Sequence, residues 1–195
     1  MGPHDADAKC RLRSALAERR RQVPPRDAAA AATAITDAVL EEPRIRKAPR
    51  IALYAALDDE IPTRGLFEAL RSLSGVRVLP RLEAGQLAWH RAENWDALEP
   101  GRLGILEPAA GRSEVLTPSD VVLLPGVAFD RCGWRLGRGG GHYDRAFPPG
   151  VASPWLVAIG YTFQWVANVP HDSRDRNVDA IVTENGWVWR AQGMR

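Results

Sequence analysis

The residue types best suited to chemistry on phosphate groups lie in residues 126–145, and above all in residues 135–145, the glycine-rich segment. Five glycines fall within nine residues, directly after an apolar run: Gly133, Gly137, Gly139, Gly140 and Gly141. Glycine has no Cβ, so backbone N–H groups can turn toward an anion and the anion can approach closely. Arg135, Arg138 and Arg145 add guanidinium groups that match phosphate oxygens. This pattern predicts a phosphate-binding loop.

Two neighbours of these glycines strengthen that prediction. A helix predicted over residues 142–147 would add its positive end to the same field. Asp144 lies beside the arginines, where a carboxylate can hold a magnesium ion that bridges nucleotide phosphates. The spacing fits neither the Walker sequence nor a dinucleotide fingerprint. From spacing alone, a glycine-rich turn without a ligand therefore remains an alternative.

Helices alternating with short apolar strands must position this segment. The predicted helices cover residues 9–21, 26–42 and 63–73, with a helical turn at 164–167. The predicted strands cover residues 50–55, 76–79, 86–91, 121–124, 155–159, 180–183 and 187–190. Thr63 is the predicted N-cap of its helix. The pattern is typical of an α/β layered, Rossmann-like domain with N-terminal helices and a largely parallel central sheet flanked by helices. We expect a single domain over residues 1–195.

The first helix is predicted to place one side toward the rest of the protein. Leu12, Ala15, Leu16 and Arg19 share that side at helical spacing. The second helix shows the same periodicity in its alanine-rich sequence, and Pro43 ends it.

Composition narrows the classes of protein that the chain can represent. A net charge of +2 gives no overall field that would attract nucleic acid or a membrane. Cys10 and Cys132 form no Cys-x-x-Cys pair, which favours a reducing compartment. No apolar run reaches the length of a membrane span. We expect a cytoplasmic protein without zinc, because the four histidines lack ligand spacing: His4, His90, His142 and His171.

Residues 125–145 resemble the signature of the 5-formyltetrahydrofolate cyclo-ligase family. In this chain they read P-G-V-A-F-D-R-C-G-W-R-L-G-R-G-G-G-H-Y-D-R. Three more blocks resemble the family in its order: Lys9-x-x-Leu12-Arg13, Tyr54 followed by Glu60-Ile61-x-Thr63, and Asp175-x-x-x-Asp179 before residues 180–184. The resemblance covers residues 9–184.

The resemblance implies a reaction. Family members convert 5-formyltetrahydrofolate and ATP into 5,10-methenyltetrahydrofolate, ADP and phosphate. The formyl oxygen on nitrogen 5 attacks the γ-phosphate and gives an imidoyl phosphate, after which nitrogen 10 closes the ring and phosphate leaves. Phosphoryl transfer of this kind requires mainly that the protein align the reactants and place positive charge around the transferred group. The expected partner is the folate, with or without a polyglutamate tail, and we expect a monomer that uses ATP and Mg²⁺.

The resemblance also implies a role for particular residues. The implied catalytic residues are Lys9, Arg138 and Tyr143. The implied ATP contacts are Lys9, Cys10, Arg11, Leu12, Arg13, Arg135, Leu136, Gly137, Arg138, Gly139, Gly140, Gly141, His142 and Tyr143. The implied folate contacts are Tyr54, Ala55, Glu60, Trp89, Arg138 and His142, and the implied magnesium ligands are Asp144 and Asp179.

Several alternatives remain open at this level. Tyr54 and Trp89 could be packing residues, and Asp179 could cap an edge strand. Many relatives carry tyrosine where this chain has His142, and an imidazole there would bring pH sensitivity near neutrality. His171-Asp172 offers a second anchor for the last block, so its register is less secure.

Other functions compete with the cyclo-ligase. The alternative function is a non-catalytic regulator that binds nucleotide or folate on the same fold. Retention of Lys9, Glu60, Arg138 and Asp144 favours the enzyme. An RNA-binding module, suggested by residues 19–21, lacks both net charge and interleaved aromatic residues.

Overall fold

The structure is a computed structural model that describes residues 3–102 and 104–190, with side chains from residue 6 onward. The side chain of His4 therefore lies outside the described residues. The helices are α1 (Pro3–Arg21), α2 (Pro25–Glu41), α3 (Pro43–Lys47), α4 (Arg64–Ala69) and α5 (His142–Ala146). The strands are β1 (Arg50–Ala52), β2 (Val76–Glu83), β3 (Gln86–Arg91), β4 (Glu99–Pro100), β5 (Leu106–Glu107), β6 (Val121–Pro125), β7 (Ala128–Phe129), β8 (Arg135–Leu136), β9 (Trp155–Ile159), β10 (Ala180–Thr183) and β11 (Gly186–Trp189). None of the helices in these ranges is long and apolar enough to cross a membrane.

A seven-stranded sheet in the order β11-β10-β9-β6-β1-β2-β3 forms the centre of the fold. Its five inner strands are parallel, and β3 and β11 pair antiparallel at the two edges. Small two-stranded ladders join β4 to β5 and β7 to β8. The predicted α/β architecture with a largely parallel sheet is therefore confirmed.

Both faces of the sheet are covered, as the all-apolar strands require. On one face, Ile51, Leu123 and Val157 pack against the inner side of α2, which carries Ile35 and Val39. The opposite face has its own buried cluster of strand and loop residues: Ala52, Val122, Leu124, Leu156, Phe129 and Phe147. Alternate residues of each strand thus point to opposite layers. Packing on both faces holds the strands in place, and the strands position the loops that follow their ends.

Several local predictions need correction. Strands β3, β9 and β10 have the predicted bounds, whereas β1 ends at Ala52 and β2 continues to Glu83. Thr63 precedes α4 but does not cap it through its side chain. Its hydroxyl instead donates to the Tyr54 carbonyl at 2.6 Å and accepts from the Ala56 N–H at 3.1 Å, because the chain leaving β1 needs these bonds. The helical turn predicted at 164–167 is a 3-10 turn over Thr162–Gln164.

Helix α1 turns a partly cationic side toward the protein. It begins at Pro3 rather than at Lys9, and Lys9, Leu16 and Arg20 are its buried residues. Leu16 belongs to the predicted side, whereas Ala15 and Arg19 are exposed. Lys9 and Arg20 are buried because carboxylates from other parts of the chain pair with them.

Candidate active site

The candidate site is a cleft at the carboxyl ends of the parallel strands, where open α/β sheets commonly bind ligands. Tyr54 and Ala55 follow β1, Pro125 ends β6 and Gly126 follows it; all four line the cleft. The cleft volume is about 1170 Å³. A site for one small ligand measures about 300–1000 Å³, so this cleft has room for two.

Arg135 fixes the glycine-rich segment to the sheet. Its side chain is buried, and its Nη1 donates to the Pro125 carbonyl at 3.3 Å while its Nη2 donates to Asp144 Oδ1 at 3.1 Å. The guanidinium also lies over the Tyr143 ring, 5.6 Å from the centroid. Arg135 therefore holds together the end of β6, the loop and α5.

Two glycines of the segment adopt backbone conformations that other residues rarely tolerate. Gly139 has φ +109° and Gly141 has φ +62°, in the region where a Cβ causes strain. Gly141 immediately precedes α5. Leu136 is buried in the β7–β8 ladder, and Gly137, Gly139, Gly140 and Gly141 all line the cleft. The predicted loop conformation thus exposes glycine backbone to the cleft.

Helix α1 delivers two cations to the same cleft. Lys9 Nζ lies 2.5 Å from Asp175 Oδ2 and 3.8 Å from Asp172 Oδ2. Arg13 Nε donates to the Gly137 carbonyl at 2.8 Å, so the helix lies against the glycine-rich segment. The other three predicted contacts of this helix, Cys10, Arg11 and Leu12, lie outside the set of described residues that line the cleft.

Carboxylates of the loop after β1 meet Arg138. Glu60 is buried, accepts from the Leu57 N–H at 3.1 Å and accepts from Arg138 Nε at 3.1 Å. Asp59 accepts from Arg138 Nη2 and, at 2.6 Å, from Arg20 Nη2. These contacts join two parts of the chain that are 78 residues apart in sequence.

Tyr54 and Tyr143 are neutral donors in this cleft. Burial raises the pKa of both phenols, and the negative charge of Glu60 raises it further. Both side chains line the cleft. A neutral phenol beside a carboxylate can donate a hydrogen bond to a ligand oxygen at any pH near neutrality.

The two predicted magnesium ligands have different surroundings. Asp144 lines the cleft, and its Oδ1 accepts from Arg135 and from the Arg176 N–H at 3.1 Å. Its Oδ2 has no hydrogen-bond partner among residues 6–102 and 104–190. Asp179 lies outside the described cleft residues: its Oδ2 accepts from the Leu156 N–H at 2.9 Å and its Oδ1 is 3.8 Å from Arg190. Within the described ranges, no three candidate ligands cluster around one point.

Trp89 and His142 also differ in their placement. Trp89 is 7% exposed and stacks on Phe147, with ring centroids 5.9 Å apart. It packs against Tyr143 at 6.4 Å and is not among the described residues that line the cleft. These contacts favour a packing role, and the folate contact expected from the resemblance stays a prediction. His142 lines the cleft, and its Nδ1 is 2.9 Å from Arg145 Nη2.

Polar residues at or beside this cleft include four that the sequence analysis did not assign to the site. Asp59 and Arg20 lie behind Arg138, Asp172 lies beside Lys9, and buried Glu107 lines the cleft and accepts from the Leu82 N–H at 3.3 Å. The run of acidic residues at 58–60 was a usable signal for Asp59. Nothing in the sequence singles out Arg20 from its arginine neighbours.

The fold and the cleft together define an α/β protein with a glycine-rich loop that faces a carboxylate-containing pocket. The chain belongs to the 5-formyltetrahydrofolate cyclo-ligase family, whose family model matches residues 5–184. It is 32% identical over 187 residues to the 5-formyltetrahydrofolate cyclo-ligase of Escherichia coli K12, covering 89% of this chain and 100% of the relative. It is 24% identical over 195 residues to the mouse enzyme of that name, covering 91% and 94%.

Solved structures agree with this relationship. The fold is similar to the NMR structure of 5,10-methenyltetrahydrofolate synthetase from Aquifex aeolicus, with a TM-score of 0.83 and 28% identity over 96% of this chain and 95% of that one. A synthetase of the same name from Mycoplasma pneumoniae is similar in fold, with a TM-score of 0.70 and 22% identity over 90% and 98%.

Proposed function

We propose that this protein catalyses the ATP-dependent cyclisation of 5-formyltetrahydrofolate to 5,10-methenyltetrahydrofolate, with release of ADP and phosphate. The observation that carries the proposal is the 3.1 Å hydrogen bond from Arg138 Nε to Glu60 Oε1. This bond joins the glycine-rich segment, which is suited to phosphate, to a buried carboxylate, which is suited to a heterocycle with N–H donors. Both lie in one cleft that has room for two ligands. Membership of the 5-formyltetrahydrofolate cyclo-ligase family supports the choice of this reaction.

The ATP phosphates would lie on the glycine-rich segment. Lys9, Arg13 and Arg138 line the cleft around it, and a phosphoryl transfer needs positive charge around the equatorial oxygens more than it needs covalent chemistry. Arg13 uses only its Nε on the Gly137 carbonyl among the described residues, so its terminal N–H groups are available to a phosphate.

The folate would lie on the other side of Arg138. Glu60 would accept hydrogen bonds from the pterin, and Tyr54 and Ala55 would form the adjoining wall. The formyl oxygen attacks the γ-phosphorus and ADP leaves; nitrogen 10 then attacks the activated carbon, and phosphate leaves as the ring closes. Arg138, between the two halves, is placed to offset the charge of the transferred group, and Tyr143 can donate to an oxygen at the same point.

Asp144 fits a magnesium ligand. Magnesium usually binds through one or two carboxylates plus substrate phosphates, so a cluster of three protein ligands is not required. Oδ2 of Asp144 faces no hydrogen-bond donor within the described chain. Mg²⁺ held by Asp144 would neutralise negative charge on the phosphates. Asp179 has weaker support as a second ligand, because the Leu156 N–H and Arg190 already engage its carboxylate.

Further parts of the proposal concern the state of the protein. We infer a monomer in the cytosol that accepts the folate with or without a polyglutamate tail. Cys10 and Cys132 are free thiols, which supports a reducing compartment.

The test measures ADP and the methenyl product together. Purified protein with Mg²⁺, ATP and 5-formyltetrahydrofolate should form both in equal amounts, and omission of the folate should stop ADP formation. Arg138→Ala should lower turnover at least about tenfold, whereas Arg131→Ala, at an exposed position of the same segment of chain, should keep it. ATP binding without turnover would instead indicate a non-catalytic relative and would overturn the proposal.

A further inference from the structure

We propose that Asp59 is a positioning residue for Arg138 and that Arg20 in turn fixes Asp59. This inference rests on the proposed function, because it concerns how Arg138 is aimed within that site. Neither residue is among the described residues that line the cleft, whereas Arg138 and Glu60 are. Asp59 can therefore act on a bound ligand only through the guanidinium that it holds.

The geometry of Arg138 shows what Asp59 contributes. A guanidinium has five N–H donors in one plane. Here Nε donates to Glu60 Oε1 at 3.1 Å and Nη2 donates to Asp59 Oδ1. Nε and Nη2 share one edge of the group, so the two carboxylates hold that edge and three N–H groups remain for a ligand. With Glu60 alone, the guanidinium could pivot about a single hydrogen bond.

Arg20 holds Asp59 from behind. Its Nη2 donates to Asp59 Oδ2 at 2.6 Å, and its Nη1 donates to the Gly126 carbonyl at 3.2 Å. The side chains of Arg20 and Asp59 are 1% and 17% exposed, so water screens their attraction only in part. Gly126 is itself fixed by Gln164, whose Nε2 donates to the same carbonyl at 2.8 Å. A chain of contacts thus connects the end of β6 to Arg138.

The balance of charge explains why two carboxylates are present. Arg20 and Arg138 face Asp59 and Glu60, so the cluster is neutral. Burial alone would raise the pKa of Asp59, but the hydrogen bonds and charges of Arg138 and Arg20 outweigh burial and leave that pKa lowered. When Glu60 is hydrogen-bonded to a pterin, Asp59 still holds Arg138 in place. Asp59 should therefore affect the rate of the chemical step more than the KM for folate.

A double-mutant cycle between Asp59 and Arg138 tests the proposal. Asp59→Asn keeps the size of the side chain and an acceptor for Arg20. We expect it to lower kcat on the order of fivefold or more in the wild-type background, to change the folate KM less than about twofold, and to have no further effect in the Arg138→Ala background. The same loss in both backgrounds would overturn the proposal, because Asp59 would then act independently of Arg138.

Two additions keep the test decisive. Asp58→Asn is the matched control, since Asp58 is the exposed neighbour of Asp59, and it should leave kcat unchanged. Circular dichroism melts identify any variant that fails to fold. If the wild-type protein forms no methenyl product, the proposed function fails, and the cycle is then measured on the dissociation constant of MgATP. The positioning role is supported if Asp59→Asn weakens MgATP binding in the wild-type background and not in the Arg138→Ala background. Equal weakening in both backgrounds, or no weakening in either, refutes it.

Discussion

The substitution Asp144→Asn separates two roles of one carboxylate. Oδ1 accepts from Arg135 Nη2 and from the Arg176 N–H, both at 3.1 Å. An asparagine amide oxygen can accept both bonds, so the loop should keep its place. The substitution removes the negative charge opposite Arg135 and replaces the oxygen proposed to bind magnesium by an NH₂ group, which cannot ligate a metal.

The expected magnitudes follow from these contacts. The Arg135 side chain is 5% exposed and that of Asp144 is 19% exposed, so water screens their pair only in part. Asparagine keeps an acceptor for Arg135 but leaves the buried guanidinium without its counter-charge, so we expect a loss of about 1–3 kcal/mol in the free energy of unfolding. Loss of the metal ligand should reduce turnover at least about tenfold, equivalent to about 1.4 kcal/mol in the barrier.

Two measurements on the same variant decide between the roles. Turnover is measured against Mg²⁺ concentration at saturating ATP, and the free energy of unfolding is measured by denaturant titration without ligands. The Mg²⁺ requirement should rise in Asp144→Asn and should not change in Asp37→Asn, at an exposed position of α2. A loss of stability with wild-type turnover and wild-type Mg²⁺ dependence would refute the reasoning, since Asp144 would then serve Arg135 alone.

Three further predictions concern other residues of the site. Trp89→Ala should lower the free energy of unfolding by about 3–5 kcal/mol, because Trp89 is buried against Phe147. Trp89→Phe should keep the wild-type folate KM. A tenfold rise in that KM with intact stability would make Trp89 a substrate contact. Lys9→Met should weaken MgATP binding about tenfold, as expected for loss of a charge-assisted contact of about 1.4 kcal/mol, and an unchanged dissociation constant by calorimetry would exclude a role for Lys9 at the phosphates. Burial and Glu60 raise the pKa of Tyr143 above that of an unfolded tyrosine. Its stabilising contribution is therefore complete below the unfolded-state pKa and is lost as the pH rises through the higher folded-state pKa. The free energy of unfolding of Tyr143→Phe should fall less between neutral and alkaline pH than that of the wild type, as measured by circular dichroism.

Local pattern was sufficient to predict the strands that the fold buries most completely. β9 and β10 are apolar runs with polar residues or proline at their ends, and their bounds agree with the prediction. The alternation of helices and apolar strands was sufficient to predict that much of the sheet is parallel, without the pairing of particular strands. The glycine-rich segment was also recognisable, because glycine tolerates the φ values of Gly139 and Gly141 far better than other residues do.

Tertiary contacts decided what local pattern could not. Arg20 lies among three consecutive arginines, and only the position of Asp59 in space explains why this one is buried. Thr63 looked like a helix cap, but the chain leaving β1 supplied partners for its hydroxyl. Trp89 alternates like a half-buried strand residue, and the aromatic side chain of Phe147 covers it. For Arg20 and Trp89 the deciding partner is distant in sequence, whereas the partners of Thr63 lie 7 and 9 residues away across the loop that follows β1.

The fate of the formyl oxygen tests the central claim most directly. The proposed reaction carries this oxygen from 5-formyltetrahydrofolate into the released phosphate, because the γ-phosphorus is attacked by the formyl group. Folate labelled with ¹⁸O in the formyl group is converted by the protein with Mg²⁺ and ATP, and the phosphate is analysed by mass spectrometry. We predict one labelled oxygen in each phosphate released together with 5,10-methenyltetrahydrofolate. Unlabelled phosphate, or ATP hydrolysis without the methenyl product, would contradict the account.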